Sequence, residues 1–179
     1  MNFCSNCGSK EIKLIIPEGD ERKRFVCPKC ETIFYDNPRV IVGCIIENAL
    51  GEIMLCRRGI EPRKGFWNLP CGFLENDEKI EDGAMREVME ETGSEVKLGD
   101  LHIAYNLPKA KQVYLIFKAK MKSDYFHLTP ESTEIKFFPA SQIPWDEIAF
   151  SSNTFAIKHL LAQRENPALN RLLIGSYPS

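Results

Sequence analysis

Residues 72–93 read GFLENDEKIEDGAMREVMEETG. Small or branched apolar residues recur through this stretch at helical spacing: Ile80, Ala84 and Val88. This spacing predicts an amphipathic helix with one apolar face. Asp77 can cap its first turn, and Gly93 can end it in a left-handed conformation. We therefore predict one helix between Asp77 and Gly93.

The same helix concentrates acidic side chains near its apolar face. Glu87, Glu90 and Glu91 fall within one sector of about 100° when the helix is viewed down its axis. An acidic face is commonly just solvated. Three close carboxylates repel one another, however, and their oxygens are ligands that Mg²⁺ or Mn²⁺ prefers. Arg86 can reach Glu90 one turn later. The cluster therefore predicts a divalent-metal site.

Strands are predicted on both sides of this helix. Val40–Ile46 is a continuous β-branched run typical of a central strand, and 52–58 alternates as a second strand. Three later segments have strand patterns: 101–105, 112–121 and 135–138. Ser151 or Ser152 can cap a last helix. Strands before and after a helix predict an α/β (α+β) fold with a mixed sheet.

Four of the seven cysteines form two C-x₂-C pairs: Cys4, Cys7, Cys27 and Cys30. Nineteen residues separate the pairs, which is zinc-ribbon spacing. Two disulfides or redox-active pairs are the alternatives. A module this short rarely folds without a bound metal or disulfides. Four sulfur ligands would leave no open coordination position on Zn²⁺. We predict a structural zinc site. The other three cysteines have no paired spacing. Cys44 and Cys56 lie in predicted strands and are interpreted as packing residues. Cys71 lies beside the proposed site, but no histidine nearby could activate its thiol.

Composition limits the classes of function. The net charge is −2, which argues against general binding to nucleic acid or anionic membranes. The longest apolar run, Val40–Ile46, is far shorter than the ~20 residues of a membrane span. The first residues lack the basic and apolar regions of a signal peptide. We expect a cytoplasmic protein with reduced thiols.

The helix segment resembles the Nudix box, G-x₅-E-x₇-R-E-U-x-E-E-x-G-U, in which U is apolar. Eight of the nine anchored positions fit: Gly72, Glu78, Arg86, Glu87, Val88, Glu90, Glu91 and Gly93. Ser94 stands where an apolar residue is usual. The resemblance implies a Nudix hydrolase with an α/β/α sandwich, its mixed sheet lying between helices. It places a zinc-ribbon module at 1–36, a Nudix domain at 37–163 and a C-terminal tail at 164–179.

The resemblance also implies chemical roles. Glu87, Glu90 and Glu91 would bind the divalent metal, with the carbonyl of Gly72 as a further ligand. Glu78 and Arg86 would orient these carboxylates. The implied reaction is hydrolysis of a pyrophosphate bond in a small nucleotide derivative.

Two branches of the family combine a zinc ribbon with a Nudix domain. Bacterial NADH pyrophosphatases carry an S-Q-P-W-P-F-P motif after the box, whereas residues 106–114 here read NLPKAKQVY. The chain is more similar to plant-type FAD/ADP-ribose diphosphatases over about residues 1–163, which implies FAD or ADP-ribose cleaved to AMP plus the other half. Hydrolysis of NADH or NAD-capped RNA is one alternative. A ligand-sensing module that is not an enzyme is another.

Substrate contacts are less strongly indicated by the sequence. Arg57 and Arg58 end a strand, and only one of two adjacent side chains can face the site. Arginine suits a diphosphate. Trp67 and Tyr114 are candidates for contact with a substrate ring, although core packing is the alternative for each. The zinc ribbon is interpreted as a brace for the pocket or for a homodimer.

A fourth carboxylate is expected on the loop 129–134. Water that attacks phosphorus needs a base or an extra metal ligand. Glu134 directly precedes a predicted strand and matches the usual position in the family. We therefore favour Glu134 over Glu131, with two solvated loop carboxylates as the alternative.

Overall fold

A computed structural model describes residues 1–177. The chain forms two compact units, Met1–Pro38 and Arg39–Ser179. Of the predicted tail, Pro178 and Ser179 lie outside the described residues. Across residues 1–177, no helix is long and apolar enough to cross a membrane.

The first unit is a small antiparallel sheet with two cysteine turns. Its strands are β1 (Lys13–Ile15), β2 (Arg24–Val26) and β3 (Ile33–Phe34), and β2 lies in the middle. Each C-x₂-C pair lies in a tight turn that requires a positive φ angle. Gly8 adopts φ 72° after the first pair, and Glu31 adopts φ 57° after the second.

The second unit contains an eight-stranded mixed sheet and two α-helices. Its strands are β4 (Arg39–Glu47), β5 (Ile53–Arg58), β6 (Trp67–Asn68), β7 (Cys71–Phe73), β8 (Val96–Leu107), β9 (Gln112–Met121), β10 (Ser132–Phe138) and β11 (Leu173–Ser176). The order is β10-β5-β4-β9-β8-β11, with β6 beside β5 and β7 beside β4. β4 runs parallel to β9, and β11 runs parallel to β8. The remaining pairs are antiparallel, as the mixed-sheet prediction requires.

The helices cover opposite faces of this sheet. They are α1 (Ile80–Thr92) and α2 (Ser151–Glu165). Ile41 and Ile45 of β4 belong to the core cluster that contains Ala156 and Leu160 of α2. Val42, Cys44 and Ile46 face the other core, which contains Ala84 and Val88 of α1. β4 is therefore buried on both faces, which explains its uninterrupted apolar sequence.

The helix boundaries correct two predictions. α1 begins after Lys79 without a side-chain cap, so Asp77 does not cap it. The Glu78 carboxylate is instead bonded to Arg86, and the helix starts only after it. Gly93 does end α1, with φ 65°. α2 starts after Phe150, so Ser151 is its first helical residue rather than its cap.

The C-terminal segment contains regular structure that the sequence pattern does not reveal. Residues 164–179 were predicted as a tail, yet Glu165 still belongs to α2. Further on, β11 pairs in parallel with β8 through Leu173↔Ile103 and Ser176↔Asn106. The described part of this segment therefore supplies one edge of the sheet.

Candidate active site

The predicted metal-binding carboxylates lie on the buried side of α1. Ala84 and Val88 are fully buried and fix which side of the helix faces the sheet. Glu87 and Glu91 are one turn apart and only 8% and 7% exposed. Glu90 lies between them on the exposed side. The helix thus holds two buried carboxylates beside one solvated carboxylate.

The helix approaches β7 so closely that one position must be glycine. A Cβ atom on Gly72 would lie 2.3 Å from Oε2 of Glu87. The neighbouring amide of Cys71 donates a hydrogen bond to Oε1 of Glu91, at 3.2 Å. Backbone and carboxylates are therefore in direct contact, because no side chain separates them.

Arg86 donates hydrogen bonds to three glutamate side chains. Its guanidinium donates to Glu78 at 2.7 and 3.0 Å, to Glu87 at 2.8 Å and to Glu90 at 2.9 Å. It also donates to the carbonyl of Phe73 at 3.0 Å. The hydrogen bonds from Arg86 lower the pKa of Glu78 to about 2, with help from the amide of Glu75. The reach from Arg86 to Glu90, expected from helical spacing, is present.

Burial makes the carboxylates of Glu87 and Glu91 costly to ionise. Desolvation raises the pKa of Glu91 to about 8, and the charges of Glu87 and Glu131 add to the effect. Burial also raises the pKa of Glu87, although Arg86 opposes the shift. A divalent cation bound by these carboxylates would compensate their charge and so offset the cost of ionising them.

Glu87, Glu90 and Glu91 line a cavity of about 460 Å³. Three further glutamates line the same cavity: Glu61, Glu75 and Glu131. The other lining residues are not acidic: Ile41, Arg58, Ile60, Pro62, Cys71, Gly72, Phe73, Arg86, Gln112, Tyr114 and Phe150. One cavity therefore combines carboxylates with apolar groups and two arginines.

Arg57 and Arg58 point in opposite directions, as adjacent strand residues must. Arg58 lines the cavity, where its Nε donates to the carbonyl of Pro62 at 2.8 Å. Its guanidinium lies 5.1 Å from the ring centre of Phe150. Arg57 instead pairs with Glu134 at 2.9 Å and lies over Trp67 at 4.4 Å. Only Arg58 is available to a ligand in the cavity.

The two aromatic candidates are buried in different surroundings. Trp67 is 3% exposed, packs edge-on against Phe138 with ring centres 4.9 Å apart, and does not line the cavity. Tyr114 is 4% exposed but does line it, and its hydroxyl donates to Gln112 at 3.3 Å. Burial raises the pKa of Tyr114, so its hydroxyl stays protonated.

The loop carboxylates occupy different places from those expected. Glu134 lies within β10, which begins at Ser132, and it bonds Arg57 outside the cavity. Glu131 lies just before the strand and lines the cavity. A register shift between Ser132 and Glu134 separates the two positions. The sequence pattern does not reveal this bulge, and so it does not reveal which glutamate faces the site.

Glu131 follows a segment, residues 122–130, that is bonded to the C-terminal end of α1. The amide of His127 donates to the carbonyl of Thr92 at 2.9 Å. The hydroxyl of Ser94 donates to the carbonyl of Tyr125 at 3.1 Å. Ser94 stands where an apolar residue is usual in the box, and it is 1% exposed. Its buried hydroxyl is satisfied by this hydrogen bond to Tyr125. These bonds hold the chain that leads to Glu131 against the helix.

Four cysteines of the first unit form a cluster that could hold a metal ion. Cys4, Cys7, Cys27 and Cys30 place their sulfur atoms within 4.8 Å of one another, and this is the one such His, Cys, Asp or Glu group within residues 1–177. Two of the sulfur pairs are 3.6 Å apart. Sulfurs bound tetrahedrally to Zn²⁺ would be about 3.8 Å apart, so the cluster fits that ion.

Comparison with known proteins assigns both parts of the chain to known families. The NUDIX domain family matches residues 37–156. The chain belongs to the Nudix hydrolase family. A zinc-ribbon family described as Nudix N-terminal matches residues 2–36, which contain the four clustered cysteines. The similarity therefore extends over both units of the fold.

Several relatives of this Nudix hydrolase are known. An ADP-ribose pyrophosphatase of Methanocaldococcus jannaschii is 31% identical over 141 residues, which cover 76% of this chain and 78% of that protein. A NAD-capped RNA hydrolase NudC of Pseudomonas aeruginosa is 29% identical over 75% of this chain, but the match covers only 45% of NudC. The crystal structure of a NUDIX hydrolase from Nitrosomonas europaea is 42% identical, covers both chains fully and superposes with a TM-score of 0.92.

Most of the predicted site residues of this Nudix hydrolase meet in the cavity. Those that line it are Arg58, Gly72, Arg86, Glu87, Glu90, Glu91 and Tyr114. Glu78 lies behind Arg86 and is bonded to it. Besides Glu78, three predicted residues are not part of the lining: Arg57, Trp67 and Glu134. The sequence pattern does not predict three further lining residues: Phe73, Gln112 and Phe150. Nothing in their local sequence marks them as ligand contacts.

The remaining cysteines have no paired partners. Cys44 and Cys56 are buried as packing residues, as predicted. Burial raises the pKa of Cys44 to about 12. Cys71 lines the cavity, but burial and the charge of Glu91 raise the pKa of its thiol well above the ordinary value. None of these thiols is activated as a nucleophile.

Proposed function

We propose that this Nudix hydrolase cleaves the diphosphate of a dinucleotide-like substrate, ADP-ribose or FAD, to AMP and the other phosphate half. The observation that carries the proposal is the composition of the cavity lining. The carboxylates of Glu87, Glu90 and Glu91 line the same cavity as the guanidinium of Arg58 and the rings of Phe73 and Phe150. A diphosphate flanked by ring systems offers phosphate oxygens for a metal ion and an arginine, and flat groups for the aromatic rings. The relative from M. jannaschii, named an ADP-ribose pyrophosphatase, supports this choice of substrate.

Glu87, Glu90 and Glu91 would hold Mg²⁺ or Mn²⁺, with the carbonyl of Gly72 as a further ligand. When bound, such an ion neutralises charge that develops on phosphoryl oxygens and makes water easier to deprotonate. Arg86 bonds Glu87 and Glu90 through Oε1 and Oε2 respectively, so it fixes each carboxylate without using both oxygens. Glu78 in turn holds Arg86 in place.

Glu131 would receive the proton of the attacking water. Its carboxylate is exposed and lines the cavity near Glu87 and Glu91, whose pKa values its charge raises. A positioned carboxylate within reach of water can serve as a general base. Glu134 is occupied by Arg57, so we assign the role expected of the loop carboxylate to Glu131 instead.

Arg58 would bind the substrate's diphosphate in the cavity that it shares with the carboxylates. A guanidinium can bond two phosphate oxygens at once. Phe73 is 44% exposed at the cavity surface, and Phe150 lies beside Arg58. Either ring can stack on a base or a flavin. Arg58 and the rings would therefore set the position of the diphosphate relative to the carboxylates.

A substrate panel tests the proposal. FAD, ADP-ribose, NADH, NAD-capped RNA, diadenosine polyphosphates and 8-oxo-dGTP are incubated with Mg²⁺, and the products are identified. We expect AMP from FAD or ADP-ribose, and no turnover without a divalent ion. Preferred cleavage of NADH or NAD-capped RNA would instead favour the reaction of the NudC relatives. Binding of nucleotides without turnover would favour a sensing module.

Two pairs of variants locate the chemistry. Glu90→Gln and Glu91→Gln should each lower kcat at least ~10²-fold. Burial already disfavours the Glu91 charge, so Glu91→Gln should not reduce stability. Arg58→Ala should raise KM about tenfold, whereas Arg57→Ala should alter stability and leave KM unchanged. Near-normal kcat in both glutamate variants would show that α1 is not the catalytic centre.

The cysteine cluster would hold one structural Zn²⁺. We also propose that the protein acts in the cytoplasm, where thiols stay reduced, and that it forms a homodimer braced by the ribbon. Metal analysis, cell fractionation and analytical ultracentrifugation test these three points. A monomer at micromolar concentration would exclude the homodimer.

A further inference from the structure

A second cavity lies at the other end of the sheet. It has a volume of about 420 Å³ and is lined by the last residues of β4 and β9 and the first residues of β8. The catalytic cavity instead contains Ile41, Gln112 and Tyr114, from the beginnings of β4 and β9. Since β4 and β9 are parallel, the two cavities are at opposite ends of the same strands.

Three lysines converge on this second cavity. Lys97 lies directly opposite Lys120 in the antiparallel pair of β8 and β9. Lys118 precedes Lys120 by two residues and so shares its face of the sheet. Its ammonium group donates to the side-chain carbonyl of Asn170 at 2.9 Å. All four side chains belong to the cavity lining, which we call the lysine cavity.

The acidic residues of the lysine cavity do not neutralise these charges. Glu47 is bonded to Arg164 at 2.5 Å, so its charge is already compensated. Asp100 also contributes to the lining. Within the described chain, none of the three lysines forms an ion pair with it or with another carboxylate. Lys122, in contrast, lies outside the lysine cavity and forms an ion pair with Glu95 at 3.2 Å.

Lys97 and Lys120 repel each other across the pair of β8 and β9, since like charges directly opposite each other on neighbouring strands are destabilising. On its other side Lys120 lies opposite Glu47 of β4, whose carboxylate is bonded to Arg164. The irregular register of β8 between Leu98 and Leu101 places Gly99 at the cavity and interrupts the ladder there. A concave surface with surplus positive charge is the environment that a small anion stabilises.

We propose that the lysine cavity binds a small phosphate-bearing anion. Three ammonium groups can each donate to phosphate oxygens, and the amide of Asn170 lies beside them. The volume accommodates inorganic pyrophosphate or a nucleoside monophosphate. A nucleic-acid backbone would require a continuous row of cations, whereas the lysine cavity is a short cluster that also contains Asp100. The site is separate from the catalytic cavity, and the proposal holds whichever nucleotide is hydrolysed.

The test is a titration of inorganic pyrophosphate into the full-length, zinc-bound protein in magnesium-free buffer. Amide resonances report where the anion binds. We expect saturable shifts at Gly99 and Lys120, with an affinity that falls as salt is added. Titration with AMP separates two sources of the phosphate group. Tighter binding of AMP than of pyrophosphate would indicate a nucleotide, and the reverse would indicate an inorganic anion.

Lysine variants give a second readout. Lys97→Gln and Lys120→Gln should each weaken pyrophosphate binding about three- to fivefold, and Lys122→Gln, the matched control, should change it less than twofold. Lys97→Gln should also raise the melting temperature without ligand, because it removes the like charge opposite Lys120, and should reduce the further rise that pyrophosphate causes. Hydrolysis should be unchanged.

Several outcomes would overturn the proposal. Shifts confined to Gly72 and Glu91 would place pyrophosphate in the catalytic cavity alone. Equal weakening by Lys97→Gln and Lys122→Gln would show general attraction to surface charge. Binding of an RNA oligonucleotide without binding of pyrophosphate would show that the lysines serve a polymer instead of a small anion.

Discussion

Replacing Glu131 with glutamine tests the assignment of the loop carboxylate most directly. Glutamine keeps the size of the side chain but cannot accept a proton from water. Loss of a positioned general base lowers turnover about 10²- to 10⁴-fold, so we expect kcat to fall at least ~10²-fold. That corresponds to about 2.7 kcal/mol of transition-state stabilisation. KM should change little, because the variant still fills the same volume of the cavity.

The stability of the Glu131→Gln variant should not fall. Glu131 is exposed, and its charge repels the buried carboxylates Glu87 and Glu91. Removing that charge relieves the repulsion. We expect a free energy of unfolding within about 0.5 kcal/mol of the parent protein, or slightly above it. A large loss of activity in a protein that remains folded would therefore reflect chemistry.

Glu134→Gln is the matched control, since it makes the same change three residues later. It breaks the ion pair with Arg57, whose side chain is 32% exposed, while that of Glu134 is 49% exposed. An ion pair this open to solvent contributes at most about 1 kcal/mol. We expect a small loss of stability with kcat within about twofold of the parent. We therefore expect Glu131→Gln to lose activity but not stability, and Glu134→Gln to lose a little stability but not activity.

Both variants are measured under the same conditions. AMP release is followed by chromatography at saturating substrate and Mg²⁺, and stability is measured by urea unfolding. A larger loss of kcat in Glu134→Gln than in Glu131→Gln would refute the assignment. If both variants keep kcat within about threefold of the parent, water is activated without any carboxylate from this loop.

Three other predictions follow from the geometry. Gly72→Ala should displace the Glu87 carboxylate, because the new Cβ would lie 2.3 Å from it, and a metal titration should show a higher Mg²⁺ requirement in a folded protein. Cys27→Ser should lower folding yield and zinc content, which metal analysis should find at one ion per chain in the parent. Burial lowers the pKa of the His102 imidazole to about 4, below the unfolded value near 6.5. The neutral ring therefore contributes up to ~3 kcal/mol to the free energy of unfolding at neutral pH, and this contribution should be lost as the pH falls from about 6.5 to about 4. Urea unfolding of His102→Gln should show a weaker dependence on pH there.

The sequence predicts those parts of the site that depend on local periodicity. Glu87, Glu90 and Glu91 are placed relative to one another by the helix itself, and Ala84 and Val88 decide which side is buried. Strand alternation likewise separates Arg57 from Arg58, although it does not say which one faces the cavity. β11 could not be predicted in this way, because it is a short edge strand whose partner, β8, lies about 70 residues earlier in the chain. Its pairing is decided by the sheet and not by its own pattern.

The position of the loop carboxylate shows why local pattern is insufficient for the rest of the site. Glu131 and Glu134 are three residues apart in a segment rich in turn-forming residues, and both precede a strand in the sequence pattern. Their different roles result from the strand beginning at Ser132 and from the bulge that follows it. Ser132 pairs with Arg58, whereas Glu134 pairs with Arg57. The register with β5 thus places Glu134 beside the arginine that faces away from the cavity and leaves Glu131 beside the arginine that lines it. The register between β10 and β5 therefore determines both which glutamate and which arginine line the cavity. A substitution that shifted this register should change both residues in the lining.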